Sequence, residues 1–185
     1  MGYSVRKTEG AETRRIYGVM RREVRSLSRM PLWWLLTAEL LGHQECLVVE
    51  DEIGYATGYA ICSVQSLYGY VLINFIGLEY DLQSMAAMER LVAWYGDRQG
   101  IIAELTVEPG EKERFEHNLD FYRSCGFKRV RSNYILAGKT VQLMVRPIRG
   151  AWDISTVAHR VVTDIYSAVI PAAVRRKLVK IKPIT

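Results

Sequence analysis

The sequence predicts an α/β (α+β) fold in which a mostly antiparallel, mixed central sheet is flanked by helices. Strand-like runs follow one another between positions 45 and 79 and are separated by turn residues, as in an antiparallel meander. A helical segment then separates two further strands, which indicates one crossover connection. Amphipathic helical segments lie on both sides of these strands in the sequence.

The N-terminal part of the chain predicts one strand and two helices. Residues 3–7 can form a short first strand. An apolar stripe at helical spacing follows, made of Ile16, Val19, Met20, Val24 and Leu27. Pro31 then opens the aromatic-rich segment PLWWLLTAELLG. Proline at the first helical position and Gly42 just after the last one are typical boundaries of a helix.

The middle of the chain predicts a three-stranded meander and the crossover. The segment ECLVVEDEIGYATGYAICSV contains two strand-like runs around the turn DEIG, which indicates a hairpin. A third strand follows at residues 70–79 after the breaker LYG. We then expect a helix from about Asp81 to Tyr95 and a strand over residues 101–108, rich in β-branched side chains.

One more helix and two strands complete this region. The segment PGEKERFEHNLDFYRSCGF carries the helical stripe Phe115, Leu119 and Tyr122. Gly126 suits the left-handed position just past a helix C-terminus, where a side chain would cost energy. We therefore expect Phe127 to return into the core. The runs KRVRSNYIL and VQLMVRPI, on either side of the turn AGKT, predict the last two strands.

Residues 149–185 are predicted to be an extension to a main domain of residues 1–148. They begin with a helix over residues 153–170 that has an unbroken apolar stripe. This stripe could pack on its own domain, on a partner subunit of a homodimer, or on a membrane surface. A short basic stretch follows Pro171 and contains Arg175, Arg176, Lys177, Lys180 and Lys182. A solvated tail is its simplest interpretation.

Composition limits the function classes. Residues 1–148 carry 18 basic and 18 acidic side chains, so the net charge of +5 belongs to residues 149–185. No nucleic-acid motif accompanies that charge. No apolar run reaches the roughly 18 residues of a transmembrane span. The three cysteines and three histidines are scattered, which predicts a reducing, cytoplasmic setting without disulfides or a structural metal.

Four local patterns, in this element order, resemble the GCN5-related N-acetyltransferase (GNAT) superfamily over residues 3–148. The segment LVVEDEIGYATGYAICSV is similar to its second and third strands, and FIGLEYDLQSMAAMERLV to its fourth strand and third helix. The segment NLDFYRSCGFKRV resembles the family's N-x-x-x-x-Y-x-x-x-G-F pattern, with Tyr122, Gly126 and Phe127 at the matching positions and Asn118 four residues before the tyrosine. LMVRPI resembles the last strand. Residues 149–185 lie outside the resemblance.

The resemblance implies acetyl-coenzyme A (acetyl-CoA) as cosubstrate, in the cleft where the fourth and fifth strands splay. The main chain of the fourth strand, here around Leu78 and Tyr80, would pair with the pantetheine arm, and Asn118 resembles a position that also contacts this arm. A loop patterned Q/R-x-x-G-x-G/A would bind the pyrophosphate. Its counterpart here is Gln83, Ser84, Met85, Ala86, Ala87 and Met88.

This loop counterpart departs from the family pattern. Gln83 matches the first position, but Ala86 and Met88 replace the usual glycines. Main-chain N–H groups at a helix N-terminus can hold an oxyanion whatever the side chain is. Ala86 adds only a methyl group in a helical conformation, whereas Met88 must point away from the ligand. The departure leaves open a degenerate fold that does not bind the cofactor.

The resemblance also implies chemistry. Tyr122 is the candidate general acid for the leaving thiolate, and its alternative role is packing in the core. Glu79, at the end of the fourth strand, is the candidate base for the attacking ammonium, or else a solvated carboxylate. No histidine or aspartate stands at motif spacing from Cys125, so we expect direct attack in a ternary complex without an acetyl-cysteine.

The acceptor site is expected near Trp33 and Glu104. Trp33 and Trp34 point about 100° apart on a helix, so at most one of them would line a pocket. Glu104 and Glu108 face the same way on their strand, where they could guide a cationic substrate or form the solvated face of the sheet. The sequence thus predicts an N-acetyltransferase for a primary amine. The alternative is a non-catalytic binding module that acts through its basic extension.

Overall fold

A computed structural model of the protein describes residues 2–23, 31–78, 82–107, 110–136, 138–149, 154–170 and 179–180. The helices are α1 (Gly10–Glu23), α2 (Leu32–Leu40), α3 (Leu82–Trp94), α4 (Lys112–Ser124) and α5 (Ile154–Val169). The strands are β1 (Ser4–Lys7), β2 (Gln44–Glu50), β3 (Ala56–Ser63), β4 (Tyr70–Gly77), β5 (Gly100–Val107), β6 (Lys128–Leu136), β7 (Lys139–Pro147) and β8 (Val179–Lys180).

The predicted order of elements is confirmed, with bounds that differ by only a few residues. The strands form one eight-stranded sheet in the order β1-β2-β3-β4-β5-β7-β6-β8. β2 pairs antiparallel with β1 and β3, and β7 pairs antiparallel with β5 and β6. The predicted α/β class with a mostly antiparallel sheet is therefore confirmed. The two-residue strand β8, antiparallel to β6, is an addition that the sequence does not predict.

The first of two compact units contains residues 1–64 and 73–94. On one face of its strands, α1 and α2 bury Ile16, Met20 and Leu35 against Cys46 and Val48. On the opposite face Val49 packs with Leu78 and Ala87, the latter on α3. Because side chains alternate along a strand, β2 supplies both layers. The stripe positions Val24 and Leu27 lie outside the described residues.

Two glycines allow β3 and the end of β4 to approach closely. A Cβ atom at Gly58 would lie 2.4 Å from Leu78 Cδ2 and 2.8 Å from the Gly77 carbonyl oxygen. A Cβ atom at Gly77 would lie 2.2 Å from the ring of Tyr59. Glycine is therefore required at both positions by close packing and not by turn geometry. The close packing of Gly58 against Leu78 fixes the position of this leucine, which directly follows β4.

The second unit contains residues 65–72 and 95–185. Its main apolar cluster joins β4–β7 residues such as Leu72, Ile102 and Leu143 to α5, which contributes Val161 and Ile165. The stripe of α5 thus packs on a sheet face of its own chain, which is the first of the three surfaces considered for it. The reason is hydrophobic: this contact buries Ala158, Val161, Val162, Ile165 and Tyr166 to 6% exposure or less, while Val169 and Ile170 at the end of the helix stay half-buried.

Candidate active site

The helix α4 carries Asn118 and Tyr122 one turn apart, and therefore on the same side. The Tyr122 ring is 3% exposed. It makes edge-to-face contacts with Phe121, at a centroid distance of 5.8 Å, and with Phe127, at 5.1 Å. These contacts fix the ring orientation. The core-packing role of Tyr122 is thus present, and its role as general acid stays a prediction.

Asn118 has a buried amide oxygen with an unused acceptor capacity. Within the described part of the chain, its Oδ1 atom is shielded from solvent and accepts no hydrogen bond. A buried amide oxygen without a donor costs free energy that a ligand N–H group could recover. The position thus meets the chemical requirement for a contact to an amide-containing cofactor arm.

The C-terminus of α4 is held from two directions. Gly126 adopts φ +79°, the left-handed conformation that the sequence predicts, and the Phe127 N–H donates to the Tyr122 carbonyl at 3.0 Å. Phe127 is buried, as predicted. From β7, Arg146 Nη1 donates to the Cys125 carbonyl at 2.7 Å. Sequence reasoning missed Arg146, because its partner lies 21 positions away and no local pattern links them.

The predicted pyrophosphate segment lies at the start of α3. The helix begins at Leu82, so residues 82–84 are its first turn, and their N–H groups have no i−4 partner within the helix. Further along, the Ala86 N–H already belongs to the regular helix. Glu79 and Tyr80, and the side chain of Gln83, lie outside the described residues. The main-chain N–H groups of this segment that could donate to a phosphate are therefore those of its first turn.

The side chains of this segment divide between core and surface. Ser84 and Ala87 are buried, Met85 is half-buried and Ala86 is exposed. Met88 is 0% exposed, so its side chain is directed into the protein, as its expected orientation away from a ligand requires. Neither alanine disturbs the helix, because alanine is the best helix former. The missing glycines have thus been replaced by residues that support a regular helix.

Glu104 lies beneath α5 and not on an open sheet face. Its two carboxylate oxygens each lie 2.7 Å from the Tyr166 hydroxyl, which donates to them. Ile102, two residues earlier on the same face of β5, belongs to the cluster that α5 covers. At Glu104 the extension covers part of this face, so the carboxylate is half-buried, whereas Thr106 on the same face is exposed.

We expect Tyr166→Phe to lower the free energy of unfolding by about 1.5–3 kcal/mol, the usual range for a hydrogen bond to a charged group. The ring and its packing are kept, so the change isolates the hydroxyl. Urea titration of Tyr166→Phe, Glu104→Gln and the double variant would measure it. If the two single effects simply add, the pair contributes no coupling energy and the interpretation fails.

Trp33 is 67% exposed and Trp34 is half-buried, with ring centroids 6.5 Å apart. Core packing, expected for one of the two rings, is only partial at Trp34, and Trp33 faces solvent along α2. Its acceptor-binding role stays a prediction.

Potential metal ligands and cysteines are scattered over the described ranges. These ranges contain no group of three His, Cys, Asp or Glu side chains that could hold a metal ion. The three cysteines are buried. Burial raises the pKa of the Cys46 thiol to about 12, which removes the thiolate that a nucleophile needs. Among the described helices we find none with the length and apolarity of a membrane span.

Comparison with solved structures identifies the architecture. The spermidine N-acetyltransferase from Vibrio cholerae, in a dodecameric intermediate state, matches with a TM-score of 0.59 and 12% identity, over 79% of this chain and 94% of that chain. The same enzyme in complex with CoA and spermine matches with a TM-score of 0.57 and 12% identity, over 78% and 95%. A chimera of that enzyme with hSSAT gives 0.60 and 14%, over 80% and 96%.

The chain has the GNAT fold. No family model and no curated protein sequence matches it. At 12–14% identity the likeness establishes the fold alone. The sequence resemblance implied cofactor contacts on the helices α3 and α4, and both helices are present in the observed fold.

Proposed function

We propose that the protein is an acetyl-CoA-dependent N-acetyltransferase that acts on a primary amine by direct attack in a ternary complex. The GNAT fold and the resemblance of the Asn118–Phe127 segment support this proposal. The observation that carries it is the buried, unpartnered Asn118 oxygen one helical turn from Tyr122. The Vibrio cholerae enzyme, a structural neighbour, has been crystallised with CoA and spermine, which supports an amine acceptor.

The residues present fit a pantetheine-containing cofactor. Asn118 Oδ1 would accept a hydrogen bond from an amide N–H of the arm, and the main chain at Leu78 and Tyr80 would pair with it. The pyrophosphate would face the first turn of α3, from Leu82 to Ser84, where the helix dipole favours an anion. Within the predicted loop, the N–H groups of this turn would donate to the pyrophosphate. Met88 would instead pack in the core.

The chain's own residues would move two protons. Acetyl-CoA supplies an activated thioester carbonyl when bound. Glu79 would take a proton from the ammonium of the acceptor, directly or through water, so that the neutral amine can attack. When the C–N bond has formed and the C–S bond breaks, Tyr122 would donate its hydroxyl proton to the leaving thiolate, and the proton that the acylated nitrogen loses would restore the hydroxyl. The aromatic contacts of Tyr122 would hold that hydroxyl in a constant direction, which reduces the reorganisation needed for the transfer.

The acceptor class follows from the same step. A primary amine is protonated at neutral pH, so its site requires a base and a complementary negative charge. Glu79 would provide both in this proposal. Glu104 is less suited to substrate binding, because its carboxylate already accepts the Tyr166 hydrogen bond. We assign it the role of tying α5 to the sheet.

A non-catalytic GNAT-like binding module is the second candidate. The regular helix α3 favours it, because Ala86 and Met88 replace glycines of the family's phosphate loop. Such a module would keep the fold and lose turnover. It could act through the basic residues after Pro171.

Calorimetric titration with acetyl-CoA tests the proposal. We expect saturable binding with a dissociation constant between about 1 μM and 1 mM, the usual range of enzyme substrates. A panel of primary amines would then be screened for release of free thiol. Absence of binding at millimolar acetyl-CoA would refute the enzyme proposal. Binding without turnover of any polyamine, lysine peptide or aminoglycoside would favour the binding module.

A further inference from the structure

The outer face of α1 is a row of arginines. Arg14, Arg15, Arg21 and Arg22 are all exposed, while Ile16 and Met20 are buried in the core. Arg21 and Arg22 follow Arg14 and Arg15 by seven residues, or two helical turns, so the four guanidinium groups share one side of the helix. The Arg21 guanidinium lies 5.9 Å from the centroid of the Tyr17 ring.

The outer face of α2 is apolar. Trp33 is 67% exposed, Leu40 is 87% exposed and Leu41, just after the helix, is 63% exposed. Thr37 lies between them on this face. The acidic residue of the helix, Glu39, is turned inward, where Oε1 accepts long hydrogen bonds from two threonine hydroxyls, Thr8 at 3.3 Å and Thr13 at 3.4 Å.

The two faces belong to one surface layer. Ile16, Tyr17 and Met20 of α1 and Leu35 of α2 lie in a single cluster that also contains strand residues of the sheet. Because both helices bury their inner sides in that cluster, their opposite sides form the outside of the same layer. The arginine row and the apolar residues Trp33, Leu40 and Leu41 therefore lie on the outside of the same layer. We call this surface the α1–α2 face.

Glu12, an acidic side chain that the structure describes on α1, is engaged mainly by a residue outside the arginine row. Glu12, on α1, forms a two-point ion pair with Arg6 of β1, at 2.7 and 3.0 Å. Its distance to Arg15 is longer, 3.8 Å. The Arg6 hydrogen bonds lower the pKa of Glu12, so this carboxylate stays ionised and directed toward the sheet. The α1–α2 face thus presents cations beside apolar side chains.

We propose that the α1–α2 face docks the protein peripherally on a bilayer that contains anionic lipid. Exposed tryptophan and leucine beside arginine are the side chains of interfacial helices, which insert apolar groups at the headgroup boundary and hold phosphates electrostatically. A two-fold contact made through the arginine row would bring like charges together, which is unfavourable. Nucleic acid would use the arginines but gain nothing from Leu40 and Leu41. This inference does not rest on the proposed enzyme activity, and it replaces the acceptor-binding role predicted for Trp33 with contact to lipid.

Vesicle sedimentation with the full chain tests the inference. We expect binding to phosphatidylcholine vesicles that contain phosphatidylserine, weak binding without phosphatidylserine, and release by salt. Leu40→Ser combined with Leu41→Ser should lower the partition coefficient at least about tenfold, since two exposed leucines lose their apolar contact with lipid. Arg14→Gln combined with Arg21→Gln should lower it by about fivefold for each arginine.

Matched controls separate this face from general hydrophobicity and from the basic tail. Ile53 and Leu67 are 88% and 90% exposed in turns outside the face, so Ile53→Ser with Leu67→Ser should bind vesicles like the unmodified chain. Far-ultraviolet circular dichroism and thermal melting would show that the variants fold. Equal vesicle binding by the Leu40/Leu41 variant would assign binding to residues 171–185 and overturn the proposal. Absence of vesicle binding, or a dimer in gel filtration that this variant dissociates, would do the same.

Discussion

Tyr122→Phe is expected to lower kcat about a hundredfold or more while acetyl-CoA binds with unchanged affinity, because a positioned general acid contributes at least this much. The substitution removes only the hydroxyl. The edge-to-face contacts of the ring with Phe121 and Phe127 remain, so α4 keeps its packing. Steady-state kinetics with the best acceptor amine and calorimetry with acetyl-CoA would measure the two quantities.

Tyr95→Phe is the matched control for this variant. Tyr95 is also 3% exposed, but it follows α3 and has no role in the proposed chemistry. Its substitution should leave kcat within about twofold, since it does not touch the transferred proton. If Tyr122→Phe turns over at the rate of the unmodified chain, Tyr122 serves only the core and another group supplies the proton.

Local patterns in the sequence predict most of the fold. The hairpin between β2 and β3, the proline before α2 and the glycine after α4 each depend on a few neighbouring residues. Gly126 shows why such predictions succeed: the left-handed conformation excludes most side chains, so the residue type itself indicates the geometry. The order of elements then follows from these boundaries, together with the alternation of apolar residues.

Contacts between distant residues explain what sequence reasoning missed. Arg146, on strand β7, donates a hydrogen bond to the C-terminal end of α4. Tyr166 donates a hydrogen bond to Glu104, which lies 62 positions earlier in the sequence. The periodicity of α5 identifies a helix but gives no information on which surface it covers. The burial of the Asn118 Oδ1 atom likewise depends on tertiary packing around α4. Sequence spacing marks the position as a candidate, and the structure adds the physical reason to test it.

Asn118→Leu is expected to change stability and cofactor binding in opposite directions. In the protein without ligand, the buried Oδ1 atom has lost water without gaining a donor, which costs about 1–3 kcal/mol. Leucine has nearly the same shape and no polar atom, so it should raise the melting temperature by about 2–4 °C for each kcal/mol recovered. The same change removes one hydrogen bond to the cofactor, so the acetyl-CoA dissociation constant should rise about tenfold.

The comparison needs a correction for helix propensity, because leucine favours a helix more than asparagine does. Glu116 is an exposed position of α4, so the difference in stability between Glu116→Leu and Glu116→Asn measures that contribution. The stability gained by Asn118→Leu in excess of this difference is then the cost of the unpartnered oxygen. No excess would show that Oδ1 is already satisfied, and unchanged acetyl-CoA affinity would remove Asn118 from the cofactor site. If Asn118→Leu raises the free energy of unfolding and weakens acetyl-CoA binding, then Asn118 is retained for binding at the expense of folding. A residue that only packs in the helix would not give this combination of effects.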